Sequence, residues 1–113
     1  MTATNAMIEA LVERGLASLR NRSAEAAELL ADAAFADRVG RVVAASDFAL
    51  ETLRRQPVLL TMLERDDGAE AFAPPTLAAE EPARWQERLR AYRTAESTRL
   101  VWRDVLGLDD VDA

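Results

Sequence analysis

The chain of 113 residues carries 14 basic and 20 acidic side chains, a net charge of −6 and a pI near 4.7. Such a field repels a phosphate backbone or an anionic membrane outside any local patch, which excludes non-specific nucleic-acid binding and membrane attachment. There is no His, no Cys and no Lys, since all 14 basic residues are Arg. That composition removes Ser-His-Asp and Cys-His catalysis, thiolate or imidazole zinc, disulfides and lysine Schiff bases. Carboxylate acid–base chemistry and carboxylate-bound Mg²⁺ remain. Hydrophobic residues make up 50% of the chain, but 23 of its residues are alanine and aromatics are only 5%. One domain follows, over residues 1–113, hiding roughly two-thirds of its unfolded surface in thin, closely packed helices.

Met1 is followed by Thr2, Ala3, Thr4 and Asn5 with no basic region. No apolar run approaches the ~18 residues of a membrane span, so the expectation is a soluble, unexported protein with the cytoplasm as its default location.

The first predicted helix runs from Thr4 to Leu19, with Met7, Ile8, Leu11, Val12, Gly15, Leu16 and Leu19 on one apolar stripe. Gly15 lies inside that stripe, where a second helix can approach closely. Ser23 is placed to cap the next helix, with Glu25 in its first turn and Ala27, Leu30, Ala34 and Phe35 inward. From Asp37 a strongly periodic stretch places Val39, Val42, Val43, Ser46, Ala49, Leu50 and Leu53 on one face and reads as a single helix to Gln56. Within it Ser46 is expected to bond back to a carbonyl. A nucleophilic role for Ser46 fails for want of a base. Phe48, almost opposite, implies that this helix is covered on both sides.

Pro57 ends the periodic stretch and suits the first turn of a short helix holding Leu59, Leu60, Met62 and Leu63. Asp66-Asp67-Gly68 stops that helix, and residues 66–81, with Pro74 and Pro75, read as an exposed loop open to partial disorder. The last and longest helix starts at Pro82 and ends before Gly107 as its C′ residue, leaving a tail from Leu108 to Ala113 with no partner of its own and the character of a truncated end. The expected fold class is therefore all-α: a bundle of four to five helices with a long C-terminal helix.

That last helix does not separate into apolar and polar faces. Trp85, Leu89, Tyr92, Ala95, Leu100, Trp102 and Leu106 span one arc, and Glu96, Arg99 and Arg103 fall in its middle at i, i+3, i+7. Charges on a core-facing stripe are costly unless paired. Two arrangements satisfy them: an internal ion network that orients helices, or an interface with a neighbouring domain. Val101 and Val105, on the opposite side, favour a helix with two partners. The six arginines from Arg84 to Arg103 resemble a basic aromatic patch, but Glu80, Glu81, Glu87, Glu96 and Asp104 are interleaved and bring the local charge near neutrality. Asp110-Val111-Asp112 matches a Mg²⁺-binding Asp-x-Asp, without the Gly-Ser turn or apolar strand that would support it. No catalytic, cofactor-binding or metal-binding residue is assigned in this chain.

Ser46-Asp47-Phe48, Leu53-Arg54-Arg55-Gln56-Pro57 with Leu59-Leu60, and Leu89-Arg90-x-Tyr92-Arg93-x-x-Glu96-x-x-Arg99-x-x-Trp102-Arg103-Asp104-x-x-Gly107 resemble the N-terminal region of glutamine synthetase adenylyltransferase/deadenylylase. The likeness covers Val39 to Leu108, interrupted at the Pro74-Pro75 loop. It implies a parent enzyme that uses Mg²⁺ and ATP to add AMP to, and remove it from, a glutamine synthetase tyrosine under PII control, regulating nitrogen assimilation. By the same resemblance this chain holds no cofactor of its own and forms a non-catalytic helical lead-in that packs on the remaining catalytic domains. Glu96, Arg99, Arg103 and Asp104 then form a helix-orienting or interdomain network, and Ser46, Asp47, Phe48, Pro57 and Trp102 are structural positions. The residues also leave open a stand-alone interaction module that buries its extra apolar faces as a homodimer.

Overall fold

The computed structural model describes residues 2–78 and 81–109. Among them the chain forms six α-helices and no strand: α1 Thr2–Arg20, α2 Ala24–Leu30, α3 Ala33–Ala45, α4 Asp47–Arg55, α5 Val58–Asp66 and, after a 3₁₀ turn at Pro82–Arg84, α6 Trp85–Val105. The all-α class and the long last helix are as expected from sequence. Two breaks differ from the predicted helices: one moves the boundary between the second and third, and the other divides the third and so raises the number of helices to six.

The first break is at Asp32, whose side chain accepts the Ala34 N–H at 3.0 Å and starts α3 four residues earlier than the hydrophobic period suggests. Phe35 is consequently an α3 residue, fully buried, while Ala27 and Ala34 are exposed and Ala26 faces the core with Leu30. The second break is at Ser46. Its backbone is extended (φ −150°, ψ 110°) and its Oγ accepts the Ala49 N–H at 3.0 Å, so it caps α4 instead of bonding back within a continuous helix. The apolar stripe from Val39 to Leu53 survives the break, because both helices turn the same side chains inward. Phe48 is 45% exposed, so among the described residues the expected second layer does not cover it.

Other expectations hold. Ser23 Oγ accepts the Ala26 N–H at 3.0 Å. Pro57 leads α5, and Leu59, Leu60 and Leu63 are buried. Gly15 sits where α1 crosses α3 and α4, and a Cβ there would lie 2.9 Å from Val43 Cγ1. At Asp67 (φ 54°) and Gly68 (φ 72°) the chain passes through the left-handed region and leaves α5.

The stripe of α1 is only half used. Leu16 and Leu19 are buried, whereas Met7, Ile8 and Leu11 are 65%, 45% and 52% exposed.

At the far end, Gly107 (φ 67°) gives a full Schellman closure, with Leu108 N–H donating to Arg103 O at 2.8 Å and Gly107 N–H to Asp104 O at 3.2 Å. The start of the tail therefore does have partners, contrary to expectation. Asp110, Val111 and Asp112, the Asp-x-Asp match, lie outside the described residues.

The core is centred on Phe35 and Trp102, both fully buried, with ring centroids 5.8 Å apart and planes inclined at 41°. Around them pack Leu19, Leu30, Val39, Val42, Leu53, Leu60 and Leu63. Arg38 covers the outer face of Phe35, its guanidinium carbon 5.4 Å from the ring centroid.

Candidate functional site

α6 meets the core through Ala95, Thr98 and Trp102, with Val101 and Val105 half-buried beside them. The buried face is thus rotated from the predicted arc: Leu100 is exposed, and Val101 and Val105 pack on the same core instead of requiring a second partner. The rotation moves Glu96, Arg99 and Arg103 to one flank, under the loop that follows α5.

There the three charges bind main-chain atoms. Glu96 takes Arg99 in a two-pronged pair, Nε to Oε2 at 3.0 Å and Nη2 to Oε1 at 3.1 Å. Glu96 Oε2 also accepts the backbone N–H of Phe72 at 2.6 Å. The remaining Nη1 of Arg99 donates to Gly68 O at 2.8 Å. Burial acts most strongly on Glu96 and opposes its ionisation, but the Arg99 hydrogen bonds and charge and the Phe72 amide together outweigh it and hold its pKa below 4.5. The side chains of Arg99 and Glu96 are 12% and 19% exposed, so this is a shielded pair.

Arg103 does not join that pair. Its Nη1 donates to Asp67 O at 3.0 Å, its Nη2 to Leu108 O at 3.0 Å, and its Nε to Asp109 Oδ1 at 2.6 Å. It thereby ties the end of α5 to the end of α6. Asp67 is the second centre of the cluster: its Oδ1 accepts the Trp102 indole N–H at 3.3 Å and lies 3.3 Å from Arg38 Nε, an ion pair without hydrogen-bond alignment. Asp104 is exposed, and it is its carbonyl that serves the helix end.

Of the other singled-out residues, Asp47 is exposed in the first turn of α4, where a negative charge suits the helix dipole, and Pro57 precedes α5. Sequence reasoning missed Asp67, Asp109 and Gln56, whose Nε2 donates to Ala91 O at 3.1 Å and to Thr94 Oγ1 at 3.2 Å and so clamps α4 onto α6. The Asp67-Gly68 turn signal was visible, but its partners lie more than thirty residues away in sequence.

Two grooves flank the bundle. One, of about 630 Å³, runs between α1 and α3 over Val12, Leu16, Ala36 and Gly40; the other, of about 680 Å³, runs between α4 and α6 beneath Phe48 and Arg90. Among the described residues no group of three or more carboxylates comes together as a metal site. Nor is any helix there long and apolar enough to cross a membrane. The charges of the α6 cluster face backbone carbonyls, a backbone amide, an indole and one another.

Comparison with known proteins places this bundle. It is 47% identical over 106 residues to the bifunctional glutamine synthetase adenylyltransferase/adenylyl-removing enzyme of Xanthomonas oryzae pv. oryzae (strain MAFF 311018), covering 94% of this chain and 11% of that protein. The enzymes of the same name from Xanthomonas campestris pv. campestris (strain ATCC 33913) and Stenotrophomonas maltophilia (strain K279a) are 46% and 43% identical, over 94% and 92% of this chain. No family model and no solved structure matches the chain. Over nearly its whole length the chain is homologous to one region of the glutamine synthetase adenylyltransferases/adenylyl-removing enzymes, and it spans about 11% of the length of the relatives it matches.

Proposed function

We propose that this chain is a non-catalytic, N-terminal helical part of a glutamine synthetase adenylyltransferase/adenylyl-removing enzyme, in the cytoplasm, where it supports catalytic domains that add and remove AMP on glutamine synthetase and so regulate nitrogen assimilation. The observation that carries this reading is the 43–47% identity spread over almost all of this chain and confined to 11% of each relative. The relatives' remaining catalytic domains, glutamine synthetase and a PII protein are its proposed partners, with nucleic acid and membrane excluded by its acidity. Mg²⁺ and ATP belong in this proposal to the larger enzyme. This chain is proposed to hold neither, a reading supported by its four isolated glycines, which form no glycine-rich phosphate loop. In the same reading Glu96, Arg99, Arg103 and Asp104 orient α6 and the chain on either side of it.

The test is an assay of the chain alone against adenylylated glutamine synthetase, and against unmodified glutamine synthetase with Mg·ATP. The expected result is neither release nor transfer of AMP; either activity overturns the proposal.

A second reading, a self-associating module, draws on the exposed Met7, Ile8 and Leu11 of α1 and on Phe48. Sedimentation at high micromolar concentration decides it. A monomer removes that reading, and a dimer dissociated by Leu11→Glu supports it.

A further inference from the structure

The segment after α5 has no regular secondary structure between Asp67 and Ala78, yet it is not a free loop. Four of its backbone atoms are bonded by side chains of α6: Asp67 O by Arg103, Gly68 O by Arg99, Phe72 N by Glu96 and Leu77 O by the Trp85 indole at 2.9 Å. Phe72 is half-buried and packs on the core, Pro75 and Leu77 are half-buried off it, and Ala69, Glu70, Ala71, Ala73, Pro74 and Thr76 are exposed.

The attachments are unequal. The Asp67-Gly68 end is doubly secured: Asp66 accepts the Gly68 N–H at 3.0 Å and the Glu70 N–H at 3.3 Å, and Gly68 is so close to α6 that a Cβ on it would lie 2.9 Å from Arg99 Cγ. Between Glu70 and the Leu77–Trp85 bond, the side-chain hold on the backbone reduces to the Phe72–Glu96 bond, with the Phe72 ring packed on the core. Glu96 is itself held in place by Arg99, so the carboxylate is pre-set and loses little freedom in making that bond.

We propose that residues 71–76, between the secured Glu70 end and the Leu77–Trp85 bond, form a strap latched by Glu96, which opens as one unit by releasing Phe72 from α6 while the helices stay packed. Local opening of this kind is expected where a segment has few apolar contacts and its backbone bonds are to side chains instead of to a ladder. The helices do not depend on the latch, because none of the bonds within or between α1, α3, α4 and α5 described above passes through Glu96. Opening uncovers the flank of α6 that carries Glu96 and Arg99, together with the seat of Phe72. The proposal does not rest on the family reading.

Hydrogen exchange followed residue by residue on the intact chain tests it. Replacement Glu96→Ala removes the acceptor, and the Phe72 amide is expected to exchange at least tenfold faster, by a factor well above the common increase that loss of the Arg99 pair gives at Leu60, Leu63 and Trp102. Glu96→Gln keeps a neutral acceptor and is expected to give a smaller increase, again larger at Phe72 than at the core amides; it serves as the readout should the alanine variant fail to fold. An unchanged Phe72 rate in both variants shows that Glu96 is not the latch. Faster exchange at Phe72, Leu60 and Trp102 alike shows that the strap has no independent opening. Either result overturns the proposal.

Discussion

Arg99 and Glu96 stand one turn apart on α6 and meet through two hydrogen bonds of 3.0 and 3.1 Å, with the third arm of the guanidinium on Gly68 O. Arg99→Ala strands a shielded carboxylate and a turn carbonyl at once. Removing one partner of a fully buried pair costs about 3–5 kcal/mol, and the residual exposure of Glu96 places this pair near the lower end, at about 3 kcal/mol. Urea unfolding of the variant measures it, and a loss below ~1 kcal/mol would mean that water replaces Arg99 freely.

Arg103→Ala leaves Glu96 untouched, because Arg103 holds Asp67 O, Leu108 O and Asp109 instead. Asp109 is about half exposed and regains water, so the expected cost is about 1–3 kcal/mol, chiefly from the Asp67 carbonyl. A double variant with Asp109→Ala is expected to cost hardly more than the single one. Strictly additive losses would show that the Arg103–Asp109 contact is unimportant.

Folded-state pKa depression at Glu96 fixes a pH dependence. The group has a lower pKa folded than unfolded, so its contribution is complete above the ordinary value of 4.5 and is lost as pH falls from there through the folded pKa. Comparing wild type with Glu96→Gln by chemical denaturation, the stability difference should be constant between pH 6 and 8 and shrink below about pH 4.5. A difference that grows on acidification would contradict the assignment. Glu51, about half exposed beside Arg55 and Arg54, has a pKa lowered in the same direction, chiefly by the Arg55 hydrogen bond, and is no part of the shielded site.

How far the sequence revealed this arrangement depended on the range of the interaction. Ser23, Pro57, Gly15 and Gly107 act within one turn or through the absence of a Cβ, and their local signals were read correctly. Ser46 and Asp32 were missed as caps because the apolar period runs through both, and a stripe that two successive helices share is indistinguishable from one helix. The charged set on α6 was legible as a set. Its partners were not, since a carbonyl at Asp67 or Gly68 leaves no mark in side-chain pattern. Thr98 went unnoticed because a threonine reads as surface, although it is fully buried between Ala95 and Trp102 on the core face.

Thr98 supplies a stabilising prediction. Its Oγ1 is buried with no hydrogen-bond partner, and an unsatisfied buried hydroxyl costs about 1–3 kcal/mol. Thr98→Val keeps the shape and removes the polar atom, so the variant is expected to gain about 1 kcal/mol after the small helix-propensity difference. A raised denaturation midpoint with an unchanged slope checks this. A loss would mean that the hydroxyl finds a partner in solution.

Gly15 tests whether α1 is placed by close approach. Its added Cβ would stand 2.9 Å from Val43 Cγ1 and 3.5 Å from Leu50 Cδ2, inside contact distance of the first and at ordinary contact with the second. Gly15→Ala gains about 1 kcal/mol of helix propensity but must push α1 away from α3, which costs about 1–3 kcal/mol in a packed core. The net expectation is a modest loss. Val43→Ala alone leaves a cavity, yet combined with Gly15→Ala it makes room for the new methyl, so the double variant should be more stable than the sum of the two singles predicts. Independent, additive effects in that cycle would show that α1 tilts freely and that Gly15 is not what sets its distance from α3.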